Sequence, residues 1–147
     1  MATHWLILLA CLLIGAAVHA DPIESVRIHV IDGDTIHVAD TAADVRLVGF
    51  NAPETARARC PEERTLGEIA DRRLREIVRG GNLDFSFAPC SCRPGTEGTP
   101  VCNYGRKCGT LKPQGRNVGD ILISEGLAVP FVCGRYSCPA TPRPWCK

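Results

Sequence analysis

Residues 26–38 of the chain read VRIHVIDGDTIHV, and apolar and polar side chains alternate in this stretch on both sides of Asp32-Gly33-Asp34. Alternation with a period of two is typical of β-strands that bury one face. Asp-Gly is a favoured connection between antiparallel strands, because its positions must accept a positive φ. The stretch therefore predicts a β-hairpin with strands over 26–31 and 35–38, whose tip presents two carboxylates.

The rest of the chain predicts three more strands and two helices. The further strands are Val45–Phe50, Asn82–Phe87 and Lys107–Leu111. Apolar residues recur on one helical face from Leu66 until Gly80-Gly81, and a second helix runs over Asn117–Leu127 with Asn117 as its N-cap. Prolines argue against a helix in Gly134–Lys147. This order predicts a β-rich α+β fold, a five-stranded OB-fold barrel with two helices and a cysteine- and proline-rich C-terminal tail.

The first 20 residues predict a signal peptide. The apolar segment Trp5–Val18 is shorter than the roughly 18 to 20 residues that a membrane-spanning helix needs. Cleavage after Ala20 would leave residues 21–147 as a single secreted or periplasmic domain, with no membrane contact. Two alternatives stay open: an uncleaved anchor, because no Lys or Arg precedes the segment, and lipid attachment at Cys11, which the continuing apolar run disfavours.

The composition excludes two classes of protein. The chain has 147 residues, 45% hydrophobic and 22% charged, with a net charge of +1. Such a chain can bury a core, so it is not disordered. Its charge is too low to hold nucleic acid by bulk electrostatics, and any phosphate chemistry must come from a local site.

Nine cysteines are present, of which Cys11 lies in the predicted signal peptide. The other eight predict up to four disulfides in an exported protein, with a connectivity that the sequence does not choose. Cys90 and Cys92 are expected to take separate partners. A zinc site formed by Cys90, Cys92, Cys102 and Cys108 is the alternative, disfavoured because paired C-x2-C knuckles are missing.

Three motifs carry polar groups that suit phosphodiester hydrolysis: DGDT at 32–35, Arg46 followed by NAPET at 51–55, and NYGR at 103–106. Each has an ordinary structural explanation by itself, as a turn, a surface ion pair or a loop. Hydrolysis requires oxygen ligands for a hard cation, a carboxylate that acts on water, and arginines that neutralise phosphate charge. The chain offers these groups as Asp34, Glu54, Arg46 and Arg106.

The chain resembles the thermonuclease, or staphylococcal-nuclease-like, family. The resemblance rests on IDGDT (31–35), VRLVGFNAPET (45–55), YGR (104–106) and GRNVGDILISEGLA (115–128), and covers about residues 26–131. It implies an OB-fold, calcium-dependent endonuclease that hydrolyses DNA and RNA and leaves 3′-phosphate ends. We expect the protein to act as a monomer.

The resemblance also implies a calcium site. Asp34 would be a ligand through its carboxylate and Ala52 through its backbone carbonyl. Asn51 would stand where the family usually has a second aspartate. An amide keeps the oxygen ligand but removes one negative charge, so we expect calcium binding to weaken and activity to require millimolar calcium, which is about the upper end for extracellular sites.

Four further roles follow from the resemblance. Glu54 would act on the attacking water, Arg46 and Arg106 would hold the scissile phosphate, and Tyr104 would lie beside the nucleotide. Arg106 is preferred to Arg116 because its distance from the second helix keeps the spacing usual in the family.

Two other functions stay open. One is a non-catalytic OB-fold module that binds an oligonucleotide or a protein partner, which Asn51 and the cysteine-rich loop before Arg106 favour. The other is a small structural protein held by disulfides, which leaves the charged residues of the three motifs unexplained. The enzyme is preferred because an idle site has no chemical need for all of them.

Overall fold

The computed structural model describes residues 21–147, so the predicted signal peptide, residues 1–20, lies outside the described residues. The described chain is a mixed α+β protein. Its strands are β1 (Asp21–Ile23), β2 (Ile28–Asp32), β3 (Thr35–Val38), β4 (Val45–Leu47), β5 (Gly49–Asn51), β6 (Leu83–Ala88), β7 (Lys107–Pro113) and β8 (Val129–Phe131). Its helices are α1 (Pro61–Arg79) and α2 (Val118–Ser124). Neither helix in this range is long and apolar enough to cross a membrane.

Six strands form one curled half-barrel sheet in the order β1-β6-β7-β4-β3-β2. Strand β4 runs parallel to β7, and the other neighbours are antiparallel. Strands β5 and β8 form a separate antiparallel pair. The predicted hairpin is confirmed as β2 and β3, but β2 begins at Ile28, because residues 25–27 form a single 3-10 turn, and its connection, Gly33-Asp34, does not use the predicted positive φ angles. The predicted strands 82–87 and 107–111 appear as β6 and β7.

The prediction of five strands differs from the eight strands of the described chain. Strands β1 and β8 have three residues each, too few to show an alternating pattern. The stretch 45–50, predicted as one strand, is divided into β4 and β5. Gly49 has a φ of 97°, which an L-residue rarely adopts, and this turn lets β5 leave the large sheet to pair with β8.

Both predicted helices are confirmed, with different ends. Helix α1 begins at Pro61, five residues before the first apolar residue of the predicted face, because a proline and two glutamates suit the first helical turn. In α2, the Asn117 side chain accepts a hydrogen bond from the Gly119 amide at 2.8 Å, as predicted for an N-cap. Helix α2 ends at Ser124, because Gly126 turns the chain at a φ of 74°.

The core lies between the concave face of the sheet and the two helices. Its fully buried side chains include Ile36, Val45, Leu47, Phe50, Leu74, Leu111 and Leu122. Helix α1 buries residues at the expected helical spacing against β2, and α2 packs against β5 and β7. The tip of the hairpin and the loop after β5 meet against α1 at one edge of this core.

Four disulfides join the eight cysteines of the described chain. They are Cys60–Cys146, Cys90–Cys108, Cys92–Cys102 and Cys133–Cys138. The expectation that Cys90 and Cys92 take separate partners is confirmed. The cysteines considered for zinc are bonded to each other and offer no thiolate. This pairing is consistent with an oxidising extracellular compartment. The C-terminal tail after β8 contains no helix, as predicted.

Candidate functional site

Asp34 lies at the centre of a polar network that joins the hairpin to the end of β5. Asp34 is only 8% exposed to solvent. The Ala52 amide donates to Asp34 Oδ2 at 2.8 Å, and Arg46 Nη2 lies 3.1 Å from the same oxygen. The Thr35 hydroxyl donates to Asp34 Oδ1 at 3.2 Å. One carboxylate thus connects groups from three different segments.

The surroundings of Asp34 disfavour its negative charge. Burial raises the pKa of Asp34 to about 6, the charge of Arg46 opposes this rise, and the neighbouring Asp32 adds to it. The carboxylate is therefore incompletely compensated by the protein. An added cation would stabilise its charged form.

The hairpin tip packs directly against the loop after β5. A Cβ atom at Gly33 would lie 2.7 Å from the Ala52 Cβ and 3.1 Å from the Ala70 Cβ of α1, so a larger residue does not fit. The Asp34 amide donates to Asp32 Oδ1 at 3.1 Å, which shapes the turn. This close packing explains why the glycine stands between the two aspartates.

The Arg46 guanidinium is already occupied by protein acceptors. Its side chain is nearly buried and binds the end of β5 as well as the hairpin. The acceptors are the carbonyls of Leu47 (2.6 Å), Phe50 (3.1 Å) and Asp34 (3.3 Å) and the Asn51 Oδ1 atom (3.0 Å). All of these bonds use the Nη atoms, and Nε donates to none of the described residues. Arg46 can therefore meet a phosphate through Nε, or by exchanging one of its Nη bonds.

Both polar atoms of the Asn51 side chain are paired. Its Oδ1 accepts from Arg46, and its Nδ2 donates to the Pro142 carbonyl in the C-terminal tail at 3.0 Å. An aspartate has no donor for that carbonyl. The amide at this position thus has a structural reason that the sequence did not reveal.

Arg106 lies on the other side of Asp34. It donates from Nη1 to the Thr35 hydroxyl at 3.2 Å, and from Nε and Nη2 to the backbone and side-chain oxygens of Asn103 at 3.2 and 2.8 Å. Burial and the positive charge of Arg46 lower the pKa of Arg106, against the opposing effect of Asp34. Two guanidiniums therefore share one electrostatic neighbourhood, which favours the binding of an anion.

Tyr104 lies in a strained turn beside Arg106. Asn103, Tyr104 and Gly105 have consecutive positive φ angles of 50°, 59° and 80°. Non-glycine residues rarely adopt such angles, and they persist only where the surroundings impose them. The Tyr104 ring is 80% exposed and its centroid lies 5.7 Å from the Arg106 Cζ atom. An exposed ring next to a guanidinium can stack on a nucleobase.

The cysteine loop, residues 89–106 between β6 and β7, holds this turn in place. The Cys92–Cys102 disulfide ends immediately before Asn103, and the Cys90–Cys108 disulfide ends two residues after Arg106. The Asn103 amide group also donates to the Cys108 sulfur at 3.4 Å. Disulfides on both sides therefore keep the Arg106 side chain directed at Thr35.

Glu54 projects from the loop after β5 and is about one-third exposed. Its side-chain exposure is 34%, and its Oε2 lies 3.8 Å from Arg57 Nε. A Cβ atom at Gly67 of α1 would lie 2.7 Å from the Glu54 carbonyl, so the glycine lets the helix approach the loop. The Glu54 loop begins at Ala52, whose amide binds Asp34, so the loop starts beside the Asp34 network.

A groove of about 350 Å³ lies beside Arg46. It runs between Val48 to Phe50, the cysteine loop, and Phe131 with Val132 at the end of β8. Most of its lining is apolar, with the Arg46 side chain at one end. Its size and lining suit a small, mostly apolar ligand group.

The sequence interpretation missed the role of Glu63 and did not mention Arg143. Neither residue is among those predicted for the site, yet the Glu63 side chain is completely buried in an ion pair with Arg143 at 2.8 Å. A glutamate at the third helical position, which can reach back to preceding amides, is a signal for such a role. Cys60, Glu63 and Cys146 also lie close enough to share a metal, but the two sulfurs are bonded to each other.

Of the residues predicted for the site, Asp34, Arg46, Asn51 and Ala52 are in direct contact. Arg106 joins them through Thr35. Glu54, two residues after Ala52, and Tyr104, two residues before Arg106, have no contact with Asp34 in the described chain.

Comparison of the chain with protein-family models and with curated proteins gives no match.

Proposed function

We propose that the protein is an exported, calcium-dependent nuclease of the thermonuclease type, which hydrolyses phosphodiester bonds in DNA and RNA. One observation carries the proposal: the buried carboxylate of Asp34 contacts the Arg46 guanidinium directly and the Arg106 guanidinium through Thr35, and the partly exposed Glu54 follows two residues after Ala52, whose amide binds Asp34. A structural ion pair needs only one arginine. Two arginines and two carboxylates at one edge suit the binding and cleavage of a phosphodiester.

The strand order supports an OB-type barrel as the framework. Strands β2, β3 and β4 are neighbours in succession, β4 lies parallel to β7, and β6 follows at the far side of β7. Five strands in this arrangement correspond to a partly open Greek-key barrel. On this view β1 extends the edge of the barrel, and β5 and β8 form a flap beside the site.

The protein side chains divide the reaction between them. Glu54, partly exposed to solvent, takes a proton from the water that attacks phosphorus; the bond from phosphorus to the 5′-oxygen breaks, and the departing oxygen takes a proton from solvent water. Arg106 and the free Nε of Arg46 bind the phosphate oxygens and neutralise the charge that grows on them. Tyr104 stacks on a base next to the scissile bond, and the groove beside Arg46 receives a second base.

The residues around Asp34 fit a calcium ion in their chemistry. The carboxylate of Asp34, the amide oxygen of Asn51 and the carbonyl of Ala52 are hard oxygen donors, and a cation would stabilise the charged form of Asp34, whose pKa burial raises. When bound, calcium would supply Lewis-acid stabilisation of the phosphate. Exchange of the Asn51 bond to Arg46 would accompany its ligation.

The alternative is a non-catalytic module that binds oligonucleotides. It is favoured by the bonds that already occupy the Arg46 Nη atoms and Asn51. In that case the arginines would bind phosphate without cleavage. The two functions therefore differ in the fate of the bound strand.

Cleavage assays separate the two functions. The oxidised protein is incubated with single-stranded DNA, duplex DNA or RNA, in calcium or in chelator. We expect calcium-dependent cleavage, with a loss of about 10²- to 10⁴-fold in Glu54→Gln and about 10²- to 10³-fold in Arg106→Ala. Glu62→Gln and Arg116→Ala, which alter exposed side chains, are the matched controls and should retain full activity.

Binding without cleavage in calcium would support the module instead. Equal losses in the Arg106 and Arg116 variants would remove Arg106 from the proposed site. Cleavage that persists in chelator would contradict the calcium requirement.

A further inference from the structure

The C-terminal tail after β8, residues 132–147, is attached to the segments that border the Glu54 loop, residues 52–60. The attachments are Pro142 to Asn51, Arg143 to Glu63, and Cys146 to Cys60. Asn51 immediately precedes the loop, Cys60 is its last residue, and Glu63 follows it in the first turn of α1. The tail is thus joined to both ends and to the base of this loop.

Arg143 makes the most extensive of these attachments. Its Nε donates to Glu63 Oε1 and its Nη2 donates to Glu63 Oε2, both at 2.8 Å. Nη2 also donates to the Arg57 carbonyl within the loop, at 2.8 Å. The Arg143 side chain is 15% exposed and that of Glu63 is completely buried. A bidentate ion pair of this kind fixes both the position and the orientation of the two side chains.

Glu63 passes this restraint on to the loop. Its Oε1 accepts from the Glu54 amide at 3.4 Å and its Oε2 accepts from the Arg59 amide at 2.8 Å. Each carboxylate oxygen is therefore shared between the tail and the loop. Burial alone would raise the pKa of Glu63, but the hydrogen bonds from Arg143 and the two amides outweigh burial and lower it.

Removal of Arg143 would leave a buried carboxylate without a counter-charge. Such a group takes up a proton or turns toward solvent, because an unpaired buried charge is strongly disfavoured. Either change weakens its bonds to the Glu54 and Arg59 amides. The Glu54 backbone would then lose the restraint that its amide receives from Glu63. The Glu54 side chain would not replace it, because its one ion-pair contact in the described chain is the 3.8 Å approach to Arg57.

We propose that Arg143 is a positioning residue of the hydrolytic site: through the carboxylate of Glu63 it holds the loop that presents Glu54. The inference rests on the proposed function. It makes the cysteine-rich tail a part of the active site, although no tail residue touches Asp34, Glu54 or Arg106 among the described contacts. A displacement of a catalytic group by about 1 Å can reduce the rate of reaction by about 10²-fold.

The test compares Arg143→Met and Arg143→Lys with a control in the same tail, Arg135→Ala, whose guanidinium lies against the Tyr136 ring. The kcat and KM for calcium-dependent cleavage of single-stranded DNA are measured on oxidised full chains, at a temperature where each variant is folded. We expect Arg143→Met to lower kcat by about 10²-fold with KM changed by less than about twofold. Arg143→Lys should recover part of the loss, and Arg135→Ala should equal the wild type.

The decisive comparison is made in the Glu54→Gln background. If Arg143 acts by positioning Glu54, Arg143→Met should cause almost no further loss there, because effects on one catalytic unit are not additive. Equal losses in the two backgrounds would overturn the proposal, as would an unchanged kcat in Arg143→Met. A merely stabilising tail predicts independent effects.

Hydrogen exchange at the Glu54 and Arg59 amides gives a readout that does not need activity. Both amides should exchange at least about tenfold faster in Arg143→Met but not in Arg135→Ala, while amides of the β2–β3 hairpin keep their protection. Unchanged exchange would overturn the positioning of the loop. If the wild type cleaves nothing, the proposed function fails and so does the catalytic role of Arg143, whereas the exchange rates still report whether Arg143 holds the loop.

Discussion

The Cys60–Cys146 disulfide should contribute more to stability than the other disulfide of the tail, Cys133–Cys138. It joins residues 86 apart in sequence, whereas Cys133–Cys138 joins residues 5 apart. A cross-link stabilises a protein mainly by restricting the unfolded chain, and this effect grows with the logarithm of the number of residues in the loop that the cross-link closes. Disulfides nested inside the large loop shorten it to about 60 residues, which gives about 4 kcal/mol, against about 2 kcal/mol for the small loop.

The measurement is the free energy of unfolding in urea for two double variants. We expect Cys60→Ala/Cys146→Ala to lose about 4 kcal/mol and Cys133→Ala/Cys138→Ala to lose about 2 kcal/mol. The first variant should also show a steeper dependence on urea, because its unfolded chain exposes more surface. The small-loop variant is the matched control, since it also replaces two bonded cysteines by alanine. Equal losses, or a larger loss in the small-loop variant, would refute the loop-closure argument.

Two further predictions concern acid stability and the cation site. The pKa of Glu63 is lowered in the folded protein, so its stabilising contribution is present at neutral pH and is lost as the pH falls through its ordinary value of about 4.5 and then through the lower folded value. The melting temperature should therefore drop as the pH falls below about 5, and Glu63→Gln should flatten this dependence in a thermal-melt series; an unchanged slope would contradict it. Asn51→Asp removes the donor to Pro142 and adds a charge beside Asp34, so without calcium it should cost about 1 to 3 kcal/mol in urea unfolding. The same variant should reach half-maximal cleavage at a lower calcium concentration, and if it does not, Asn51 is not a ligand.

The parts of the fold that follow local patterns were predictable. Alternation at 26–38 and the apolar face of α1 report burial of one side of a strand or helix, which repeats within a few residues. The Asn117 cap is equally local, because its bond spans two residues. Strands β1 and β8 were missed because three residues carry no period, and their existence depends on partners far along the chain.

The chemical groups of the candidate site were also visible in the sequence, because the DGDT, NAPET and NYGR motifs each place them within a few residues of a turn. Tertiary structure alone decided how these groups are held. Asn51 bonds to Pro142 across 91 positions, and Glu63 pairs with Arg143 across 80. Chain topology and loop closure decide which residues that are so distant in sequence come into contact. No short-range pattern in the sequence records these contacts. The motifs specify the chemistry of the site, whereas the return of the tail to the Glu54 loop specifies its support.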